Sequence, residues 1–550
     1  MHFTRTLLIA ILALACSNIQ AATLIHNIAG YHTTSDGLES FEALIFDDGK
    51  ILATGKLADL KEKFPGSNAR DAGGRTLLPG LIDAHGHVLA LGRLRQELDV
   101  RDLSLEETLG ATRTFAKDKA ANEWILGRGW NQVLWSGKRF PTKSALDKLD
   151  IPNPVWLRRV DGHAGWANSA ALRLAGIDRE TENPEGGEII KDRLGEPSGI
   201  LIDNAMLLLE RAIPQAGLQQ DKASLKAAFK SALSLGLTGI HDAGVDSNTL
   251  QAYRELAAEG AIPLRIYPMI AIEDENLTTL LKAGSIGAPD QRLYVRSIKL
   301  SADGALGSHG AALLAPYQDK PDERGLLLHP EDKILSLLRL ATEHDFQVNV
   351  HAIGDRANHI VLNHLYTLHK DNNQKPYRHR VEHAQVMLKN DIPRFPSLGL
   401  IASMQPTHAT SDKNMAGDRL GEERLEGAYA WRTFLEQGTK IAGGSDFPVE
   451  PANPLFGLHA AVTRQDRADT PQGGWRPEQA MTLTEALRAF TLDAAYASHQ
   501  ENLIGNLEPG KFADFILLEK NIFAIAPEDI WQVEVAETWV EGERVYTKAD

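Results

Sequence analysis

The chain contains a single cysteine, Cys16, in 550 residues. One thiol excludes a disulfide framework and any metal site built on several cysteines. Basic charge is also short: 58 Lys and Arg stand against 73 Asp and Glu, a formal net charge of −15. A protein that holds nucleic acid by its phosphates carries the opposite balance. No apolar run, the N-terminal one included, is long enough to span a membrane as a mature helix. No internal repeat of about 20–50 residues is visible, which argues against a solenoid or propeller. What is present is ordinary for a globular protein: 43% hydrophobic and 24% charged residues, enough chain for a large core and too apolar for wholesale disorder.

His2 and Arg5 give a short basic start, followed by an apolar run over residues 7–15 and small or apolar residues at Ile19 and Ala21. This is the pattern of a signal peptide over residues 1–21, with export to the periplasm. Cleavage at Ala21 leaves a mature chain without cysteine, which suits an oxidising compartment. Two alternatives stay open: a buried N-terminal helix, or a poor lipobox at Leu14-Ala15-Cys16 with Cys16 carrying a lipid anchor.

The rest of the chain is of two kinds. Both ends are β-rich, with short strand patterns at 23–28, 43–47 and 50–54, and again at 514–518, 533–540 and 544–546. Asp48-Gly49 and Glu541-Gly542 are turn signals. Strands this short cannot bury a sheet face alone, so residues 22–75 and 495–550 are expected to form one β-sandwich. Between them, eight apolar runs alternate mostly with helical patterns: 76–84, 239–243, 263–270, 295–301, 347–351, 380–384, 399–404 and 440–445. Such alternation predicts an α/β fold, a (β/α)8 TIM barrel over 76–494, with catalytic groups at the C-terminal strand ends. The gap between the first two runs exceeds one crossover. Residues of about 103–213 therefore form an inserted subdomain over the barrel mouth, carrying Trp124, Trp130, Trp135, Trp156 and Trp166.

The chemistry sits at those strand ends. His85 and His87 alternate just past the first run, so both imidazoles project the same way. Lys299 shares a face with Ser297 and Ser301, opposite Ile298 and Leu300, and is expected to point into the barrel. His351 shares a polar face with Gln347 and Asn349. His383 closes the sixth run, and Asp446 follows the eighth. Neutral imidazoles and a carboxylate are ligands for a divalent metal. Burial and a nearby metal would lower the Lys299 pKa and let the neutral amine take up carbon dioxide, giving an anionic carbamate able to bridge two ions. Singly, each residue has an ordinary explanation: satisfied histidines, a lysine in an ion pair or Schiff base, an aspartate capping a helix. Together, six such residues at predicted strand ends are far more specific.

The order and local text resemble the amidohydrolase superfamily, in particular the amidohydrolase 3 or YtcJ-like subgroup. The resemblance is carried by the segments 78–87, 299–308, 351–355, 380–383, 443–446 and 507–514, with 161–163 and 166–169 in the insert. It implies a metal set of His85, His87, Lys299, His351, His383 and Asp446, probed most naturally as two zinc ions bridged by carbamylated Lys299. Manganese, iron or cobalt would also fit such a nitrogen-and-oxygen site. Asp446 would double as the catalytic proton shuttle. The chain departs from the family pattern at His309, where an arginine is usual, so no carboxylate-binding role is carried over to that position.

The implied activity is hydrolysis of a carbon–nitrogen bond other than a peptide bond (amide, formamide, cyclic amide or N-acyl) by a metal-activated hydroxide. His163, Trp166, Asp303 and His309 are candidate substrate contacts. The rivals are a mononuclear deaminase-type hydrolase on the same scaffold and a non-catalytic periplasmic binding protein. The expected partner is a small molecule, without nucleic acid or a stable membrane span. The oligomeric state is open, a homo-oligomer included.

Overall fold

A computed structural model describes residues 22–549 except 95 and 373–374. The expected signal peptide, with Cys16, lies outside the described residues. No helix among them is long and apolar enough to cross a membrane.

Eight parallel strands form the central sheet: β1 (Leu81–Gly86), β2 (Leu237–Val245), β3 (Arg265–Ala271), β4 (Ser297–Ser301), β5 (Gln347–Ala352), β6 (Arg380–His383), β7 (Ile401–Met404) and β8 (Lys440–Gly443). They pair in chain order, and β1 and β8 are the ends of the series. The ends meet beyond their strands, where Asp446 N–H donates to His85 O at 2.7 Å and Gly86 bridges Phe447 in parallel. The sheet is thus a nearly closed TIM barrel. The helices around it are amphipathic. In Leu218–Ser234, Leu225, Ala228, Phe229 and Ala232 are buried at helical spacing and join the apolar cluster between strands and helices. On β5 the valines enter that cluster, while Gln347, Asn349 and His351 are also buried, on the alternate face.

The chain ends form a second sheet of seven strands, in the order Glu543–Thr547, Val535–Val540, Phe515–Leu518, Asn68–Pro79, Thr23–Thr34, Gly37–Asp47 and Lys50–Gly55. Phe46 stands three strands from Phe515, about 14 Å in a flat sheet. Their rings nevertheless lie 5.8 Å apart, and Phe46 is 5.9 Å from Trp539. The sheet therefore curls over on itself, and its two arms enclose Ile25, Leu44, Phe46, Phe515 and Trp539.

The first apolar run, 76–84, is not one strand. Residues to Pro79 belong to the terminal sheet and the barrel begins at Leu81. Gly80 is the crossing point: its N–H donates to Asp514 O, and a Cβ there would lie 2.1 Å from Thr238 Oγ1. The insert holds a six-stranded mixed sheet whose first strand is Leu98–Asp99 and whose last is Pro197–Asp203. It starts before the expected boundary. Three of its tryptophans form its core: the rings of Trp130, Trp135 and Trp166 lie 6.1–6.4 Å apart.

Candidate metal centre

β1 ends with His85 and Gly86, and His87 follows at the start of the helix Val88–Arg93. Lys299 is in β4, His351 in β5, and His383 closes β6. Asp446 lies three residues beyond β8. All six face one cavity of about 800 Å³. The His85 ring lies 5.6 Å from His87 and 4.8 Å from His383, which is 4.5 Å from His351. His383 and Asp446 hold left-handed backbone, φ +72° and +60°. Non-glycine residues pay about 1–3 kcal/mol for this, a strain that collects at functional sites.

The outer nitrogens of three imidazoles are already used. His85 Nδ1–H donates to Glu382 Oε2 at 2.5 Å, His87 Nδ1–H to Ala243 O at 2.8 Å, and His383 Nδ1–H to Gln405 Oε1 at 2.8 Å. Each ring in its neutral form therefore carries its lone pair on Nε2. His85 Nε2 lies 3.7 Å and His87 Nε2 3.0 Å from Asp446 Oδ1. His85 Nε2, His408 Nε2 and Asp446 Oδ1 are buried without a hydrogen-bond partner among the described residues. Acceptors facing an acceptor in a buried space call for a cation, and a His/Asp donor set fits a divalent metal. Among the described residues, two groups are close enough to hold one: His85, His87 and Asp446, and His383, His408 and Asp446. Asp446 belongs to both.

Electrostatics agree. Burial, then the Lys299 charge, pushes His85 down to about 4, and burial holds His351 and His383 well below the usual histidine range. All three are neutral, ligand-ready bases at pH 7. Burial pushes Asp446 up, but His87, His85 and His383 hold it well below the ordinary carboxylate range. Burial lowers Lys299, whose ammonium makes no hydrogen bond or ion pair with another described residue. Glu382, 0% exposed, is driven up by burial and down further by Arg380 and His85, so it stays ionised.

Two contributors escaped the sequence reading. His408, in the helix Pro406–Asp412, stacks 5.8 Å from His383 with Nε2 3.6 Å from Asp446 Oδ2. It follows β7, a strand to which no site residue had been assigned, and the rule that barrels place function at strand ends was the available signal. Glu382 adjoins His383 in sequence, but its partner His85 is 297 residues away.

Of the four expected substrate contacts, only His163 lines the cavity. Its Nδ1–H donates to Asp203 Oδ1 at 2.7 Å, and its ring lies 5.1 Å from His351. Trp166 is fully buried in the insert core, with Nε1–H donating to Thr142 O. None of the five tryptophans reaches the cavity, because their apolar bulk is what closes the insert. Asp303, 0% exposed, accepts the backbone N–H groups of Ala312, Ile353 and Gly354, and so ties the loops after β4 and β5. His309 lines a different pocket, where it pairs with Asp319. His351 touches His383 but stands outside both metal-ready groups. Its Nε2 lies 3.5 Å from Gly304 O.

Fold and site together define a barrel hydrolase of the metal-dependent kind. The family model described as the amidohydrolase family matches residues 68–546, and the chain belongs to that family. It is 34% identical to YtcJ of Bacillus subtilis over 92% of this chain and 96% of YtcJ. It is 27% identical to the N-substituted formamide deformylase of Arthrobacter pascens over 91% of this chain and 94% of that enzyme. An uncharacterised metal-dependent hydrolase from Pyrococcus horikoshii has the same fold, with a TM-score of 0.74, 25% identity, and coverage of 92% of this chain and 99% of that one.

Proposed function

We propose that this chain hydrolyses a non-peptide carbon–nitrogen bond (amide, formamide, cyclic amide or N-acyl) with two zinc ions, and that carbamylated Lys299 bridges them. The observation that carries the reading is the convergence of imidazole lone pairs on the buried Asp446 carboxylate. The deformylase relative supplies a precedent for an amide-type bond. His85, His87, His383, His408 and Asp446 would hold the metal, with His351 and Lys299 on the same wall. Divalent metal there supplies Lewis-acid polarisation and a lowered pKa for the attacking water.

The protein's own part is positioning and proton transfer. Glu382, Ala243 O and Gln405 fix the tautomers of His85, His87 and His383. Asp446, ionised and buried, takes the proton of the attacking water and returns it to the leaving nitrogen. His163, held by Asp203, touches the substrate from the insert. The neutral amine favoured by burial of Lys299 is the form that adds carbon dioxide.

The test is metal analysis with kinetics on N-formyl, N-acyl and cyclic amides. Two ions per chain are expected, with activity lost to chelator and restored by zinc. Lys299→Ala should lose at least one ion, and Asp446→Asn should lower kcat by roughly 10²–10⁴-fold. Full activity after chelation would refute the reading. One ion beside an unmodified Lys299 would favour the mononuclear alternative. We place the mature enzyme in the periplasm, which N-terminal sequencing after cell fractionation tests; label from palmitate on Cys16 would show a lipoprotein instead.

A further inference from the structure

The wall of the cavity formed by the insert carries a cation with no carboxylate at ion-pair distance among the described residues. Arg128 lies in the insert strand Ile125–Trp130, is 7% exposed, and lines the cavity that contains His85 and Asp446. Nη2 donates to Val160 O at 3.1 Å, which is the guanidinium's one hydrogen bond to a described residue. Nε is buried without an acceptor among the described residues. The other insert arginines on this cavity are matched: Arg101 to Asp99 at 2.5 Å, Arg158 to Glu210 at 2.8 Å, and Arg159 to Asp161. Arg128 has no such carboxylate among the described residues.

Its surroundings sharpen the imbalance. Arg158 stands directly opposite Arg128 in the parallel pairing of their strands, and like charges in register repel. Burial, then Arg158, pushes the Arg128 guanidinium down to about 10 against the more distant pull of Asp446, Asp161 and Glu97, so it is still cationic at neutral pH. A Cβ at Gly162 would lie 3.2 Å from Arg128 Nη2, so the absence of a side chain there leaves the guanidinium room. A buried guanidinium of this kind is costly until an opposite charge arrives, and its planar fork matches a carboxylate.

We propose that Arg128 anchors the substrate by a carboxylate, so that the compounds hydrolysed are amides, N-acyl compounds or cyclic amides bearing a single carboxylate group. The free N–H groups on Nη1 and Nη2 would take its two oxygens. A monoanion fits better than a phosphate dianion, because Asp161, Asp412 and Glu450 share the cavity and oppose a second negative charge more strongly. The choice of bond rests on the function proposed above; the anion site does not.

The test compares N-formylphenylalanine with its neutral analogue N-formylphenylalaninamide on zinc-loaded enzyme. The wild type should prefer the acid. In Arg128→Gln the ratio of kcat/KM for acid over amide should fall about 30-fold or more, chiefly through KM. Arg128→Lys, which keeps the charge but not the fork, should recover part of the preference. A merely structural brace on Val160 would leave that ratio unmoved, and an unchanged ratio in both variants overturns the proposal. Should Arg128→Gln not fold, the Lys variant decides. A second arm needs no turnover: N-acetylphenylalanine is titrated calorimetrically into the wild type and both variants. Weaker binding to the variants upholds the anion site even if neither compound is hydrolysed, a result that would count against the proposed reaction alone. Equal affinity overturns the anion site whatever the turnover.

Discussion

Glu382→Gln separates two jobs done by one buried carboxylate. Glu382 Oε2 accepts the His85 Nδ1 proton at 2.5 Å, and Oε1 lies 2.8 Å from Arg380 Nε as an ion pair outside hydrogen-bond geometry. At that separation and an effective dielectric near 20, the Coulomb attraction is about 6 kcal/mol, much of it offset by desolvation of both groups. A glutamine can turn its oxygen to His85 only by turning its –NH2 onto Arg380. Arg380 would keep Ala84 O and Ser403 Oγ as acceptors but lose its counter-charge. Losing one partner of a buried pair costs about 3–5 kcal/mol, a large part of a typical stability of about 5–15 kcal/mol. The effect on the metal is separate: His85 loses the carboxylate that fixes its tautomer, which weakens metal affinity about 10–100-fold. Urea titration of chelated protein reads the first effect, and competition with a chromophoric chelator at low urea reads the second. A variant matching the wild type in both would refute this account of Glu382.

Gly444→Ala should disturb the seam between β1 and β8, since a Cβ there would lie 2.6 Å from His85 N and 2.9 Å from Asp83 Oδ1. The expected loss is about 1–3 kcal/mol with lower metal occupancy; full occupancy at an unchanged urea midpoint would show that the seam can yield. Acid should destabilise the fold through His379. Burial pushes it down to about 3, and its Nδ1 accepts the Val348 N–H. The unfolded residue titrates near 6.5, so its contribution is complete above that pH and is lost as pH falls toward 3, by up to about 1.4 kcal/mol per unit. His379→Asn, which can still accept from Val348, should flatten the dependence of the urea midpoint on pH between about 6.5 and 4. Parallel slopes would exclude His379 as the source.

Much of the centre was legible because strand alternation is a local rule. The polar face of Gln347, Asn349 and His351 against two valines shows which side of β5 turns inward without knowledge of its neighbours. The same holds for His85 and His87, and for Lys299 against Ile298 and Leu300. His408 was not legible in this way: it sits on a helix past β7, and helical spacing around it gives no sign of a site. Nor was the role of Trp166, since a tryptophan reads alike in a core or a pocket wall, and its ring contacts with Trp130 and Trp135 decide the matter.

The amino-acid sequence by itself determined the class of fold, the family, and the strand ends at which ligand-type residues stand, because hydrophobic period and motif spacing are properties of short stretches of chain. Only the tertiary structure decided which nitrogen of His85, His87 and His383 is free, that Asp446 belongs to two ligand groups at once, and that Arg128 has no ion-pair partner among the described residues while its insert neighbours have one. Those are facts about hydrogen-bond partners and charges brought together from segments as much as hundreds of residues apart, and no local pattern encodes them.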